Sequence, residues 1–117
     1  MAKETVLSIA KWHEQTFPDT DLQGQLAKFQ EETEEYGEEQ SLEELADMFI
    51  VACGMCRFDN MAALGCFAIV ADFLSKHENF AASIIFAENV DKKMAKNRNR
   101  TWEKTQYGNY HHTNTEE

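Results

Sequence analysis

Apolar residues recur along the first part of the chain at the spacing of an α-helix, and proline and glycine interrupt the pattern. From Val6 onwards the apolar positions are separated by four, three and four residues, which predicts a helix that ends before Pro18. A second run with this spacing begins at Leu22, after residues 19–21, whose side-chain oxygens suit an N-cap, and it ends at Gly37. The start of the chain therefore predicts two helices separated by a short turn.

A third helix is predicted from Ser41 to about Arg57. Ser41 is followed three residues later by Glu44, the spacing of a capping box, in which each side chain bonds the backbone N–H of the other residue. From Met48 to Cys56 no residue carries a charge, so we expect this part of the helix to be buried on nearly every side.

Two further helices are predicted in the second half of the chain. Residues 61–76 are largely apolar and favour a fourth helix, and Asn79 is the predicted N-cap of a fifth helix that ends near Asn97. Segment 105–117 is polar and aperiodic, so we expect a flexible tail after a single domain of residues 1–104. β-Branched residues are sparse, and the predicted fold class is all-α, a bundle of about five helices.

Composition and charge narrow the class of partners. The 117 residues include 11 Lys and Arg against 21 Asp and Glu, a formal net charge of −10, which argues against nucleic acid or an anionic membrane as a partner held by bulk charge. No uncharged apolar stretch approaches the roughly 20 residues of a membrane span, and residues 1–4 do not lead into an apolar run as a secretory signal would. With three cysteines, an odd number, we expect a cytoplasmic protein with reduced thiols.

Acidic residues concentrate where the second and third predicted helices meet. Nine of them lie within residues 31–47, with no basic residue among them. In an antiparallel helix pair with a tight turn, residues at the same height have numbers with a constant sum, so we expect Glu35 to face Glu44. By the same rule Glu32 faces Asp47, one turn deeper. The sequence therefore predicts an acidic antiparallel hairpin that brings four carboxylates together.

The glutamate doublets of the second helix divide into two pairs. Glu31 and Glu34 point away from the apolar stripe of the helix, whereas Glu32 and Glu35 lean toward it. A register with Glu31 and Glu34 at the site remains open, as does a fully solvated glutamate face. Lys28 lies on the same flank, four residues before Glu32, where its ammonium group either pairs with this carboxylate or reaches a bound phosphate.

Four converging carboxylates repel one another unless a cation supplies the missing charge. Ligand sets made only of oxygen select Mg²⁺ or Mn²⁺ over zinc, and Mg²⁺ held by a few carboxylates commonly completes its coordination with substrate phosphates. The acidic hairpin therefore predicts a magnesium site, with manganese as the alternative, that faces a phosphorylated ligand.

Six of the 11 basic residues lie within residues 92–104, near the end of the fifth predicted helix. Lys93, Asn97 and Arg100 fall on one helical face, where an ammonium group, an amide and a guanidinium group could grip a triphosphate and its sugar. Arg98 is an alternative source of the guanidinium group. Positive charge at a helix C-terminus also complements the helix dipole, a purely structural role that the sequence does not separate from phosphate binding.

Four segments of the chain together resemble a known family of enzymes. The segments are Trp12–Phe17 (WHEQTF), Leu26–Glu35 (LAKFQEETEE), Leu42–Asp47 (LEELAD) and Lys93–Trp102 (KMAKNRNRTW). With these motifs the chain resembles the MazG-like all-α NTP pyrophosphohydrolases, particularly the small phage and bacterial dATP/dGTP pyrophosphohydrolases. The resemblance implies a Mg²⁺-dependent enzyme that splits a (deoxy)nucleoside triphosphate, with a preference for purines, between its α and β phosphates to give monophosphate and pyrophosphate.

The same resemblance implies roles for the acidic residues. Glu32, Glu35, Glu44 and Asp47 would hold the metal ion. One of these residues, or Glu31, would orient the attacking water. The resemblance therefore turns the acidic hairpin into a predicted catalytic centre.

The resemblance also bears on the substrate and on assembly. It places the first helix beside the base, where Trp12, which lies off the apolar stripe, is expected to stack and Phe17 to belong to the core. Lys93, Asn97 and Arg100 would stabilise the departing pyrophosphate. Relatives assemble their sites from paired chains, which implies a homodimer or homotetramer. The competing hypotheses are a non-enzymatic acidic helical module that binds a partner protein and a nucleotide-binding regulator.

Overall fold

The computed structural model describes residues 3–100, 102–104 and 110–112. The elements are α1 (Val6–Thr16), α2 (Leu22–Glu38), α3 (Leu42–Met55), α4 (Asn60–Ser75), α5 (Ala82–Arg98), β1 (Trp102–Lys104) and β2 (Tyr110–His112). The five-helix bundle confirms the all-α fold class expected from the sequence. Over the described part of the chain, none of the helices combines the length and the apolar character that a membrane span requires.

The starts of α2 and α3 are fixed by side-chain caps that the sequence predicts. The Asp21 carboxylate accepts a hydrogen bond from the Gly24 N–H at 2.9 Å, and the Ser41 hydroxyl accepts one from the Glu44 N–H at 3.1 Å. The second bond predicted for the capping box, from the Ser41 N–H to the Glu44 side chain, does not form, because the Ser41 N–H donates instead to the Glu39 carbonyl oxygen at 2.8 Å. This leaves the Glu44 carboxylate free to face α2.

The start of α5 differs from the prediction. The Asn79 side-chain oxygen accepts a hydrogen bond from the Ala81 N–H at 2.9 Å, but the helix begins only at Ala82. Ala81 occupies the N-cap position and makes no side-chain capping bond. The predicted cap is therefore a local turn before the helix, a conformation that asparagine favours by bonding the backbone two residues further on.

Helix α3 lies at the centre of the bundle and packs against each of the other four helices. One face joins α2 and α4 around a buried cluster that includes Phe29 and Met48. The opposite face joins α1 and α5 around a second cluster that includes Ile50 and Met94. Residues 48–56 are buried or partly buried throughout, as the uncharged run predicts, because α3 has neighbours on every side.

Most of the predicted flexible tail, 105–117, lies outside the described residues. The part that the structure describes, Tyr110–His112, pairs antiparallel with Trp102–Lys104, and Trp102 lies opposite His112. These three residues differ from the aperiodic tail expected from the sequence, since a strand of this length carries too few positions to show a periodic pattern. The pairing fixes the backbone of Trp102 just after α5.

Candidate functional site

The α2–α3 hairpin brings carboxylates from both helices together. Helix α2 ends at Glu38 and α3 begins at Leu42, a connection short enough to keep the two helices adjacent and antiparallel. Oxygen atoms of Glu32, Glu35 and Glu44 lie within 4.8 Å of one another. The predicted facing of Glu35 and Glu44 is thereby confirmed.

Membership of the carboxylate cluster separates the two glutamate registers on α2. Glu32, which is only 8% exposed, and Glu35, which is exposed to solvent, both belong to the cluster. Glu34 is exposed, and the Glu31 side chain, which is 53% exposed, reaches only the rim of the site. The structure therefore shows the register with Glu32 and Glu35 inward.

Burial and mutual repulsion make the carboxyl groups of Glu32, Glu44 and Asp47 difficult to ionise. Burial raises the pKa of Glu32 to about 7, the nearby charge of Asp47 adds to the rise, and Lys28 opposes it. Burial is also the main reason why the pKa of Glu44 is raised, with Asp47 again contributing. The pKa of Asp47 itself is raised by burial, against the influence of Lys93. Asp47 thus lies close enough to Glu32 for its charge to act on that carboxyl group, as the height rule predicts.

Two buried oxygens of the cluster, Oε1 of Glu32 and Oε1 of Glu44, have no hydrogen-bond partner among the described residues. Buried acceptors without partners are rare and costly, and a cation can satisfy several of them at once. Glu32, Glu35 and Glu44 offer only oxygen, a donor set that fits a hard divalent cation. The structure does not bring Asp47 into this group of three, because its carboxylate pairs with Nζ of Lys93 at 3.2 Å.

Two lysine ammonium groups balance part of the negative charge. Nζ of Lys28 lies 3.4 Å from a carboxylate oxygen of Glu32 and 3.6 Å from one of Glu31. Of the two roles that the sequence leaves open for Lys28, the structure shows the ion pair. Lys93 reaches Asp47 from α5, and both lysine side chains line the same pocket.

The end of α5 supplies the wall of the site opposite the hairpin. Nη1 of Arg100 donates to the side-chain oxygen of Asn97 at 3.2 Å, and the Trp102 indole N–H donates to the Asn97 carbonyl oxygen at 3.2 Å. Buried Asn97 thus holds both groups in place. Arg98, the alternative guanidinium group, instead bonds the Glu4 carboxylate at 2.9 and 3.1 Å and does not line the pocket.

A single pocket of about 520 Å³ connects these groups. Along α2 its lining extends from Gly24 to Glu35, about 16 Å of helix at 1.5 Å per residue. Glu32, Glu35 and Asp47 lie at the end of the pocket near the hairpin turn. We call this end, together with Glu44 of the adjoining carboxylate cluster, the carboxylate end. The end near the start of α2, lined by Trp12 and other aromatic side chains, is called the aromatic end.

Three rings meet edge to face at the aromatic end. The ring centroids of Trp12 and Phe17 lie 5.3 Å apart, those of Phe17 and Trp102 5.0 Å, and those of Trp12 and Trp102 6.2 Å. Trp12 and Phe17 are both buried in the core cluster shared by α1, α3 and α5. Trp12 is thus buried in the core although it lies off the apolar stripe of α1, and its ring also lines the pocket.

A hydrogen-bonded network behind these rings was not predicted. Nη1 of Arg57 donates to Nδ1 of His13 at 2.8 Å, and Nε2 of Gln25 donates to the Val51 carbonyl oxygen at 2.9 Å. Burial, and then the charge of Arg57, lower the pKa of His13 to about 4, so this imidazole is neutral at pH 7. Gly54 permits the packing, since a Cβ there would lie 2.7 Å from atoms of both Gln25 and His13.

One sequence signal could have pointed to this network. Gly54 is a glycine inside an otherwise apolar helix, a place where it lowers helix stability unless another group approaches closely. The signal shows that something packs against α3 at this turn, but not that His13 and Gln25 do so.

Comparisons of this chain with models of protein families, with curated proteins and with solved structures give no match.

Proposed function

We propose that this protein is a Mg²⁺-dependent nucleoside triphosphate pyrophosphohydrolase. It hydrolyses a (deoxy)nucleoside triphosphate, with a preference for purine bases, to the monophosphate and pyrophosphate. The observation that carries the proposal is the pair of buried oxygens, on Glu32 and Glu44, that have no hydrogen-bond partner among the described residues. They belong to a carboxylate cluster beside a pocket that also presents lysine, arginine and aromatic side chains, the groups that bind phosphates and bases.

The acidic residues would hold the metal ion. Glu32, Glu35 and Glu44 supply oxygens from facing helices, and Asp47 is the fourth ligand that the MazG-like resemblance implies. When bound there, Mg²⁺, or Mn²⁺ in its place, would supply positive charge to the phosphates and would lower the pKa of the attacking water. Glu31 at the rim, or one of the four ligands, orients that water.

Hydrolysis adds one water across the anhydride bond between the α and β phosphates. One phosphorus gains the water oxygen, the bridging oxygen departs with the other phosphate, and the water proton passes to a product or to solvent. Lys93 and Arg100 stabilise the negative charge on the departing pyrophosphate, and Lys28 acts on it from α2. Asn97 positions Arg100 through the 3.2 Å hydrogen bond.

The aromatic end would bind the base. Trp12, Phe17 and Trp102 all line this end of the pocket, and bases stack on such rings irrespective of their hydrogen-bonding edges. Purines offer the larger stacking surface, which is the reason for the proposed preference. His13 is neutral behind these rings, so this end of the pocket carries no charge from the imidazole at pH 7.

We also place this enzyme in the cytoplasm as a homodimer or homotetramer. All three cysteines are unpaired, as is usual in a reducing compartment. Met61 and Leu64 of α4 are 73% and 60% exposed, and apolar side chains this exposed are typical of surfaces that contact another chain. Light scattering on the purified protein would give the number of chains.

The reaction is tested by incubating the purified protein with each nucleoside triphosphate and Mg²⁺ and resolving the products by ion exchange. We expect monophosphate and pyrophosphate from the wild type and no turnover from Asp47→Asn. Asp72→Asn, which removes an exposed carboxylate of α4, is the matched control and should retain activity. Diphosphate and phosphate as products would replace the proposal with a different hydrolase. Nucleotide binding without turnover would favour the regulator.

A further inference from the structure

Lys28 and Lys93 occupy positions between the carboxylates and the space proposed for the phosphates. Lys93 reaches two carboxylates of α3, with Nζ 3.2 Å from Asp47 and 3.9 Å from Glu43. Lys28 reaches two carboxylates of its own helix, Glu32 and Glu31, at 3.4 and 3.6 Å. Since both side chains also line the pocket, neither ammonium group has to leave the site to contact a ligand there.

The charges around the carboxylate end do not balance. Lys28 and Lys93 contact carboxylates of α2 and α3, and Glu35 and Glu44 add further negative charge. Arg100 adds a further positive charge to the pocket. Negative groups therefore outnumber positive ones in the described structure. A triphosphate that entered without a metal ion would meet lysines already engaged by carboxylates and a surplus of negative charge.

A second observation points to a cation at this place. Glu32 is buried, and while one of its oxygens faces Lys28, the other is inaccessible to solvent and has no hydrogen-bond partner among the described residues. Lys28 thus compensates Glu32 incompletely. A divalent ion can contact oxygens of Glu32, Glu35 and Glu44 together, which the single ammonium group does not do.

We propose that a divalent cation displaces Lys28 and Lys93 from the carboxylates and that the released ammonium groups then bind the substrate phosphates. This exchange rests on the proposed function and adds to it a coupling between metal binding and phosphate binding. The lysines act as internal counterions before the metal ion binds and as phosphate ligands afterwards. Lysine suits both states, because its ammonium group is a point charge on a flexible four-carbon stem.

The exchange makes metal and phosphate binding mutually dependent. The metal ion raises the affinity for phosphate by freeing two cations, and a bound phosphate raises the affinity for the metal ion by holding those cations away from the carboxylates. Thermodynamic linkage requires the two effects to be equal in size.

The distinguishing measurement is the affinity for Mn²⁺ alone, without nucleotide, followed by electron paramagnetic resonance of the free ion. Lys28→Gln and Lys93→Gln each remove a competing cation, so each should bind Mn²⁺ about three- to tenfold more tightly than the wild type. Lys93→Arg keeps the charge and should bind Mn²⁺ less tightly than Lys93→Gln does. Lys96→Gln removes an exposed charge from α5 outside the pocket and should bind as the wild type does.

A second measurement tests the coupling with inorganic pyrophosphate as the probe. The ratio of pyrophosphate affinities with and without Mn²⁺ should be smaller in Lys28→Gln and Lys93→Gln than in the wild type. Lys96→Gln should keep the wild-type ratio. Circular dichroism establishes that each variant is folded, and if one lysine variant is unfolded the other carries the test.

The outcomes separate the two proposals. A wild-type protein that binds no Mn²⁺ would overturn the metal site and with it the proposed function. A wild type that binds Mn²⁺, with both glutamine variants binding it equally or more weakly, would overturn the exchange and leave the proposed function standing. Tighter Mn²⁺ binding in the variants together with a reduced coupling ratio would support the exchange.

Discussion

The two ends of the pocket satisfy their polar groups in different ways. At the aromatic end, the Arg57 guanidinium group donates to His13, and the Gln25 amide donates to a backbone carbonyl. At the carboxylate end, Glu32 and Glu44 each keep a buried oxygen that has no hydrogen-bond partner among the described residues. One end is complete as a folded structure, and the other has the features of a site that needs a ligand.

The difference between the two ends shows where in the pocket the requirements of ligand binding conflict with the stability of the fold. Folded proteins rarely leave buried acceptors unpaired, and the exceptions concentrate at functional sites, where stability is lower than the sequence could provide. We therefore expect substitutions at the carboxylate end to reduce function while increasing stability. Substitutions in the network at the aromatic end should reduce stability first.

The largest effect is expected for Glu32→Gln. The amide removes a buried charge that Lys28 compensates only in part. Without metal at pH 8, the variant should be about 1–3 kcal/mol more stable than the wild type in urea denaturation. Nucleotide hydrolysis should fall by at least about a hundredfold, and added Mg²⁺ should no longer raise the melting temperature.

The control for this prediction is Glu34→Gln, a change of the same chemistry on the exposed side of α2. It should leave both the free energy of unfolding and the Mg²⁺ response close to those of the wild type. If Glu32→Gln proves less stable than the wild type in the absence of metal, the carboxylate end is not strained by its charge, and the contrast between the two ends is lost.

The next effect is expected for Gly54→Ala at the aromatic end. The added Cβ would lie 2.7 Å from Nε2 of Gln25 and from Cδ2 of His13, so one of these side chains has to move. We expect a loss of about 2–3 kcal/mol in the free energy of unfolding, measured by thermal or urea denaturation. Gly65→Ala is the matched control, because its Cβ would meet no atom within 4 Å. That variant should gain about 0.5–1 kcal/mol from helix propensity, and a stable Gly54→Ala would show that the network is loosely packed.

Prediction from sequence was most successful where the structure depends on local spacing. Pro18 ends the first helix, and the short connection after α2 fixes which residues of the hairpin share a height. The facing of Glu35 and Glu44 follows from the helical period and that turn alone. The carboxylate end could therefore be predicted before its geometry was known.

The aromatic end depends on contacts between distant residues, and it was predicted less well. Arg57 and His13 are 44 positions apart, and Gln25 and Val51 are 26 apart, so no local pattern relates the partners. For a similar reason the helical stripe of α1 does not indicate that Trp12 is buried. Trp12 is buried by α3, α5 and Trp102, and the helical period of α1 gives no information about where these lie.

The smallest effect is a pH dependence that arises from His13. Its pKa is lowered to about 4 in the folded chain from an ordinary value of 6.5, mainly by burial and then by Arg57. The unfolded chain therefore binds the proton more readily, and the stability that neutral His13 provides above pH 6.5 is lost as the pH falls toward 4. Between pH 6.5 and pH 5 the wild type should lose about 1–2 kcal/mol more than His13→Gln, measured by urea denaturation without metal.

The comparison with His13→Gln isolates this contribution from that of the carboxylate end, which has the opposite sign. The raised pKa of Glu32, about 7, means that stability is lost as the pH rises from about 4.5 to 7, but both chains contain Glu32 and share this trend. The difference between their stability curves therefore reports His13. Parallel curves would mean that His13 binds its proton as readily in the folded chain as in the unfolded chain, and its burial beside Arg57 would then not lower its pKa.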